Sequence, residues 1–99
     1  MSGEVVRVIA RITAQLDKVE ELKSVLLGLV EPTRAEKGCV SYQLIQDKTN
    51  LAEFVFIEEW ISDSAIDAHM TSSHVQDAFS KAQSLLAKAP DIRKYVILR

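Results

Sequence analysis

Residues 53–60 read Glu-Phe-Val-Phe-Ile-Glu-Glu-Trp and carry the strongest indication of the architecture. Its aromatic and β-branched residues predict a strand. Alternation puts Phe54, Phe56, Glu58 and Trp60 on one face, and Val55, Ile57 and Glu59 on the other. A strand that is apolar on both faces is usually covered on both, by helices or by a second sheet. The stretch therefore predicts the centre of a sheet with two covered faces.

Three further strands are predicted around this one. Residues 5–14 are rich in Val and Ile, and their apolar side chains alternate on one face. Residues 39–45 alternate in the same way and end at the polar tetrad 47–50, which favours a hairpin loop into the central strand. Residues 92–98 form the last strand. Together with the central strand they make up a four-stranded sheet.

The first helical region is predicted to begin near Lys18. Asp17 and Glu20 have the spacing of a capping box, and apolar residues follow at helical intervals. Pro32 cannot donate a backbone hydrogen bond, so we expect a kink or break there before the helix stops at Gly38.

The second helical region is predicted to be divided near Thr71. Ser62 is the expected cap of its first half. Ser73 and Gln76 form a second capping box that opens the other half, and Pro90 is expected to end it.

The resulting order is β-α-β-β-α-β, which predicts an α+β, ferredoxin-like antiparallel sheet with the helices on one face. All of residues 1–99 fit a single domain of this kind. Since the opposite face is also apolar, we expect it to pack against an identical sheet, giving a homodimer and a dimeric α+β barrel. A pocket is then expected between the sheet and the helices of each subunit.

Composition narrows the classes of function. The 99 residues carry a net charge of -2, which argues against a nucleic-acid partner. We expect no membrane span, because no apolar run is long enough, and no export, because Met1 to Glu4 lack the features of a signal peptide. Cys39 is the only cysteine, so no intrachain disulfide can form, and a cytoplasmic protein is expected.

Cofactor and metal motifs are missing from the sequence. Three glycines provide no phosphate loop and no dinucleotide fingerprint, and there is no H-E-x-x-H motif. His69 and His74 are the best metal candidates, but they are five residues apart and the sequence indicates no third ligand. We therefore expect no cofactor and no metal.

His69 and Glu58 are the first candidates for chemistry. His69 shares a helix face with Ala65 and Ile66, and an imidazole can exchange a proton near neutral pH. The alternative is a core histidine that hydrogen-bonds a backbone carbonyl. Glu58 lies among aromatic residues, so if buried it needs a partner or a raised pKa. The alternative to a catalytic role is a structural one, in which Glu58 caps a backbone group or pairs with Arg7 or Arg11.

Other candidates are aromatic or imidazole side chains. Tyr42 could donate its phenolic hydrogen to a substrate oxygen, and Trp60 could form a pocket wall or fill the core. Phe54 and Phe56 are expected to line the same pocket. His74, at the start of its helix, is either a substrate contact or a surface residue.

The sequence resembles the antibiotic biosynthesis monooxygenase family of dimeric α+β barrels. The resemblance rests on Arg-Ala-Glu-Lys-Gly-Cys-Val-Ser-Tyr at 34–42, on Phe54-x-x-x-Glu58-x-Trp60, and on Ala65-x-x-x-His69 followed by His74. It implies that Tyr42, Glu58, Trp60 and His69 line the pocket. Heme-degrading members use an asparagine on strand one and a tryptophan in the second helical region, whereas Asn50 and Trp60 lie elsewhere here.

The resemblance implies a cofactor-independent monooxygenase that oxidises a small aromatic or quinol substrate with O₂. His69 would remove a phenolic proton, Tyr42 would stabilise an oxyanion, and the aromatic walls would orient the ring. Two alternatives remain: isomerisation of a small carbonyl or phosphosugar compound, and a non-enzymatic barrel that only binds a ligand.

Overall fold

Four strands and four helices form within residues 5–99, the part of the chain that this computed structural model describes. They are β1 Val6–Thr13, α1 Val19–Leu27, α2 Val30–Arg34, β2 Cys39–Gln46, β3 Glu53–Trp60, α3 Asp63–Met70, α4 Ser73–Ala82 and β4 Asp91–Val96. The predicted β-α-β-β-α-β order is confirmed, with two helices in each helical region. The chain start, on which the expectation about export rests, lies outside the described residues.

The sheet is antiparallel, with the strand order β2-β3-β1-β4. Its register pairs Ala10 of β1 with Phe56 of β3, so apolar side chains of neighbouring strands share a face. On β1 and β3 that face is buried under the helices, whereas β4 is exposed along its length. The core includes Val8, Ile12, Phe54, Trp60, Leu22, Leu26, Ile66, Val75 and Ala78. The predicted ferredoxin-like α+β fold is confirmed.

The opposite face carries half-buried Ile9, Val55 and Ile57 along the centre of the sheet. Arg7 and Glu59 form an ion pair beside them. The expected pairing of Arg7 with Glu58 is therefore wrong, because residues 58 and 59 point to opposite faces of β3. No helix within residues 5–99 covers this face.

The break between α1 and α2 lies at residues 28–29 and follows from Pro32. A prolyl nitrogen cannot bond the carbonyl of Gly28, whereas the next amide, of Thr33, bonds the Leu29 carbonyl at 3.1 Å. The capping box at Asp17 is wrong, since Lys18 occupies the N-cap position without any side-chain cap. Within residues 5–99, none of the helices combines the length and the apolar character that a membrane-spanning helix requires.

The turn between α3 and α4 is built on Ser72. The Ser62 cap on α3 is confirmed by a 3.1 Å bond to the Ala65 amide. The predicted cap at Ser73 is wrong by one residue. Ser72 has the extended backbone that an N-cap requires, accepts from the Val75 amide and donates to the His69 carbonyl at 2.6 Å.

Helix α4 ends at Ala82, eight residues before the predicted stop at Pro90. The intervening chain bonds the end of β1 instead: the Gln15 amide donates to the Leu85 carbonyl and the Ala87 amide donates to the Thr13 carbonyl. These bonds satisfy backbone groups that a longer helix would have used.

Candidate active site between the sheet and the helices

A cavity of about 260 Å³ lies between the inner face of the sheet and the helices. Of the predicted site residues, Tyr42, Phe56, Glu58 and His69 line it. Most of the remaining wall is aliphatic and comes from Val8, Ala10, Leu26, Leu29, Ile66, Met70 and Val75, among others. Asp67, Pro90 and Lys94 also border it. Phe54 and Trp60 lie in the core and not on the wall.

Glu58 is buried on the cavity wall, opposite Val8 of β1 and Tyr42 of β2. One carboxylate oxygen accepts a hydrogen bond from Trp60 Nε1 at 2.8 Å. Burial raises the pKa of Glu58 to about 7, the charge of Glu36 adds to the rise, and the Trp60 bond opposes it. The side chain thus has both a partner and a pKa close to neutral pH.

Tyr42 forms the wall next to Glu58. Its ring stacks on Phe56 with a centroid distance of 4.8 Å and meets His69 edge-on at 5.7 Å. Burial raises the pKa of the Tyr42 phenol well above its ordinary value, and the nearby Glu58 adds to the rise. The phenol therefore stays protonated and remains a hydrogen-bond donor.

His69 bonds a carboxylate and not a backbone carbonyl. Its Nδ1 lies 2.7 Å from Oε2 of Glu36, and its ring centroid lies 4.7 Å from that of Trp60. A carboxylate only accepts hydrogen bonds, so Nδ1 carries the proton of the neutral ring and Nε2 keeps a free lone pair. No residue of the described chain bonds Nε2, and the ring lines the cavity.

Glu36 is the residue that sequence reasoning missed. It lies between α2 and β2, and its Oε2 is 2.7 Å from both His69 Nδ1 and His74 Nε2. The separations along the chain are 33 and 38 residues, so no local pattern links the three. Its presence in the segment that carries the family resemblance was the one available signal. His74 thus lies against Glu36 and not on the cavity wall.

Glu36 also supplies the third ligand that the metal hypothesis of His69 and His74 lacked. The ligand atoms of the three residues lie within 4.8 Å of one another. However, each nitrogen is 2.7 Å from the same carboxylate oxygen. If an ion bound one nitrogen and this oxygen at about 2.05 Å each, the N–ion–O angle would be only about 80°, far below the tetrahedral angle. The arrangement has the geometry of two hydrogen bonds.

The family model of the antibiotic biosynthesis monooxygenases matches residues 5–81. The chain belongs to the antibiotic biosynthesis monooxygenase family. The match spans three of the four strands and the helices as far as residue 81, one residue before the end of α4. This family membership agrees with the resemblance noted in the sequence.

Solved structures resemble this antibiotic biosynthesis monooxygenase family member closely. PA3566 from Pseudomonas aeruginosa has a TM-score of 0.94 and 32% identity, covering 100% of this chain and 99% of that one. Rv0793 from Mycobacterium tuberculosis, which is provisionally named a monooxygenase, has a TM-score of 0.90 and 32% identity, covering 96% of each chain.

A curated relative is longer. The uncharacterized protein sll1783 of Synechocystis is 34% identical over 90 residues, which make up 91% of this chain and 61% of that protein. This chain therefore spans less than two thirds of that relative.

Proposed function

We propose that the protein is a cofactor-independent monooxygenase that oxidises a one- or two-ring hydroxylated aromatic compound with O₂. The observation that carries the proposal is the environment of His69. Its Nδ1 is hydrogen-bonded to Glu36, and the ring borders an apolar cavity with Nε2 free to accept a proton. A phenol bound there would lose its proton to Nε2 in surroundings that exclude water.

1,4-Dihydroxynaphthalene is a representative substrate for this reaction. His69 removes a phenolic proton, the ring passes one electron to O₂, and the two radicals combine to form a C–O bond. The peroxide takes the proton back from the imidazolium. The ring carbon that carries the hydroperoxide then loses its proton. The O–O bond breaks in the same step, and the outer oxygen leaves as hydroxide. The elimination leaves 4-hydroxy-1,2-naphthoquinone, which tautomerises to 2-hydroxy-1,4-naphthoquinone, and the hydroxide combines with the released proton to form water. The substrate thus loses four electrons and O₂ gains four.

Two other wall residues have roles in this scheme. We assign removal of the ring proton to Glu58, because its pKa of about 7 lets it accept a proton at neutral pH. Tyr42 donates a hydrogen bond to the substrate oxyanion, since its phenol stays protonated. Trp60 acts from behind the wall, where it bonds Glu58 and contacts His69.

Cavity size favours a small substrate. The volume of about 260 Å³ lies below the range of about 300–1,000 Å³ for ligand pockets. Phe56 and Tyr42 offer flat surfaces on which one or two rings can stack. We therefore propose mono- and bicyclic substrates rather than larger polycyclic ones.

A phosphosugar substrate is less well supported. Its phosphate would require several cations, whereas Lys94 is the one Lys or Arg side chain of residues 5–99 on the cavity wall. Arg7 and Arg34 border a separate groove.

We further propose that the working unit is a cytoplasmic homodimer joined through the outer face of the sheet. The half-buried side chains of Ile9, Val55 and Ile57 support the dimer, because a larger cover would remove them from water. The single cysteine supports a reducing compartment.

Oxygen uptake with 1,4-dihydroxynaphthalene tests the function. We expect the wild type to consume one O₂ per substrate, to form no H₂O₂, and to transfer one atom of ¹⁸O₂ to the quinone. His69→Ala should lower the rate by about 10²–10⁴, while Asp77→Asn, an exposed change in α4, should leave it unchanged. Equal rates for wild type and His69→Ala would contradict the proposal. Anaerobic turnover of a carbonyl compound, or tight binding without product, would favour the alternatives.

A further inference from the structure

The loop that carries Glu36 is held against α3 by a contact that only glycine allows. A Cβ at Gly38 would lie 2.3 Å from the Cβ of Ala65, and the Ile61 amide bonds the Gly38 carbonyl at 3.0 Å. Ala65 is one helical turn before His69. The absence of a side chain at residue 38 therefore brings Glu36 within reach of His69.

The α3–α4 turn brings His74 to the same carboxylate. Ser72 bonds the His69 carbonyl and caps α4, which fixes the second residue of α4 relative to the end of α3. His74 Nε2 then lies 2.7 Å from Glu36 Oε2. Two imidazoles from different helices thus converge on one carboxylate oxygen.

Exposure increases along this cluster. The side chain of His69 is 6% exposed, that of Glu36 is 17% exposed and that of His74 is 25% exposed. A proton taken up by His69 creates a cation in an apolar site, and an isolated buried charge is strongly unfavourable. The Glu36 carboxylate offsets that cost through a charge-assisted hydrogen bond.

We propose that Glu36 and His74 are positioning residues for His69. Glu36 holds His69 as the Nδ1–H tautomer and stabilises its imidazolium, and His74 holds the carboxylate of Glu36 in place. The proposal rests on the proposed function for its kinetic consequence only. The tautomer and the hydrogen bonds exist in the resting protein whether or not a quinol is the substrate.

Long-range ¹H–¹⁵N NMR spectra of the imidazoles provide a test that needs no activity. In the wild type we expect His69 to be protonated at Nδ1 and not at Nε2. Glu36→Gln should keep this tautomer, because the amide oxygen still accepts a hydrogen bond, whereas Glu36→Ala should shift the proton towards Nε2. A wild-type His69 protonated at Nε2, or no change in Glu36→Ala, would overturn the proposal.

Kinetics with 1,4-dihydroxynaphthalene separates positioning from packing. Glu36→Gln keeps the volume and the tautomer but loses the charge, so kcat should fall by about 10–100-fold with KM unchanged. His74→Gln, which still donates to Glu36, should lose less than His74→Ala. If wild type turns over and Glu36→Gln matches it, the proposal fails. If wild type does not turn over, the proposed function fails and the NMR result decides this proposal.

Zinc titration tests the competing explanation. Calorimetry compares Zn²⁺ binding by the wild type, Glu36→Gln and His74→Gln. We expect no saturable site in the wild type that is lost in both variants. Such a site, with Co²⁺ giving the absorption of a four-coordinate centre, would identify the cluster as a metal centre and overturn the positioning proposal. Circular dichroism and thermal melting of each variant confirm that it is folded.

Discussion

At the scale of single residues, the pKa of Glu58 has a consequence for stability. Burial raises this pKa from 4.5 to about 7, so the folded chain binds a proton that the unfolded chain releases in that pH range. The free energy of unfolding therefore falls as the pH rises from about 4.5 to about 7. Above that range the buried carboxylate is charged and destabilises the fold.

Glu58→Gln should remove this pH dependence. The amide keeps an acceptor for Trp60 and cannot ionise, so the variant should be more stable than the wild type at pH 8. Between pH 4 and pH 8, the free energy of unfolding of the variant should rise by roughly 2–3 kcal/mol relative to that of the wild type. Urea unfolding at a series of pH values measures it. Glu20→Gln, at an exposed position of α1, should follow the wild-type curve. A constant difference between Glu58→Gln and wild type would contradict the raised pKa.

Some residues of the site can be predicted from the sequence and others cannot. Glu58 and Tyr42 could be assigned to the inner face because strand alternation is a local pattern, and His69 because helix spacing is one too. Glu36 could not, because its role depends on which loop meets which helix. The partner of Glu58 is also outside the alternatives that the sequence offered, because Trp60, two residues away on the same face, bonds it in place of a backbone group or an arginine.

At the scale of elements, the N-cap of α4 can be tested with two adjacent serines. Ser72 makes the cap bond and bonds the His69 carbonyl, whereas Ser73 is the first helical residue. Ser72→Ala should therefore lower the free energy of unfolding by about 1 kcal/mol, and Ser73→Ala should change it little. Urea unfolding of the two variants compares them directly. A larger loss in Ser73→Ala would restore the capping box predicted from sequence.

The contact of the Glu36 loop with α3 predicts a difference between two glycines. Gly38→Ala places a methyl group 2.3 Å from the Ala65 Cβ, so the loop must move away from α3, at a cost of about 1–3 kcal/mol. Gly28→Ala would place its Cβ 3.3 Å from the Val25 carbonyl oxygen, a tight contact that a shift of a few tenths of an ångström relieves, and its backbone is right-handed helical, so it should cost less than Gly38→Ala. Denaturation measures both. Equal stability of the two variants would show that the loop tolerates a side chain.

At the scale of the whole molecule, the order of elements was readable because each pattern is local, from the alternation in β3 to the break caused by Pro32. The end of α4 was not, because the hydrogen bonds that replace it come from Thr13 and Gln15, at and just after the end of β1 and some 70 residues earlier. A pocket between the sheet and the helices could be expected from the order of elements, but its full wall could not, because the wall comes from all four strands and three helices.

The outer face of the sheet is the surface through which we expect two copies of the chain to form a homodimer. Ile57 lies at its centre, paired with Ile9 on one side and Gln43 on the other. A stable interface buries about 800 Å² per partner and is depleted of charge at its core. Sedimentation equilibrium should give twice the chain mass of 11.1 kDa for the wild type.

Ile57→Lys places a charge at the centre of that face and should give monomers, because the buried cation has no partner across a two-fold axis that brings two copies together. Leu16→Lys is the matched control, since Leu16 is 87% exposed in the loop after β1, away from this face, and should leave the dimer intact. The monomeric variant should still show the His69 tautomer set by Glu36, because all three members of that cluster come from one chain. A monomeric wild type at tens of micromolar concentration, or a dimeric Ile57→Lys variant, would contradict assembly through this face.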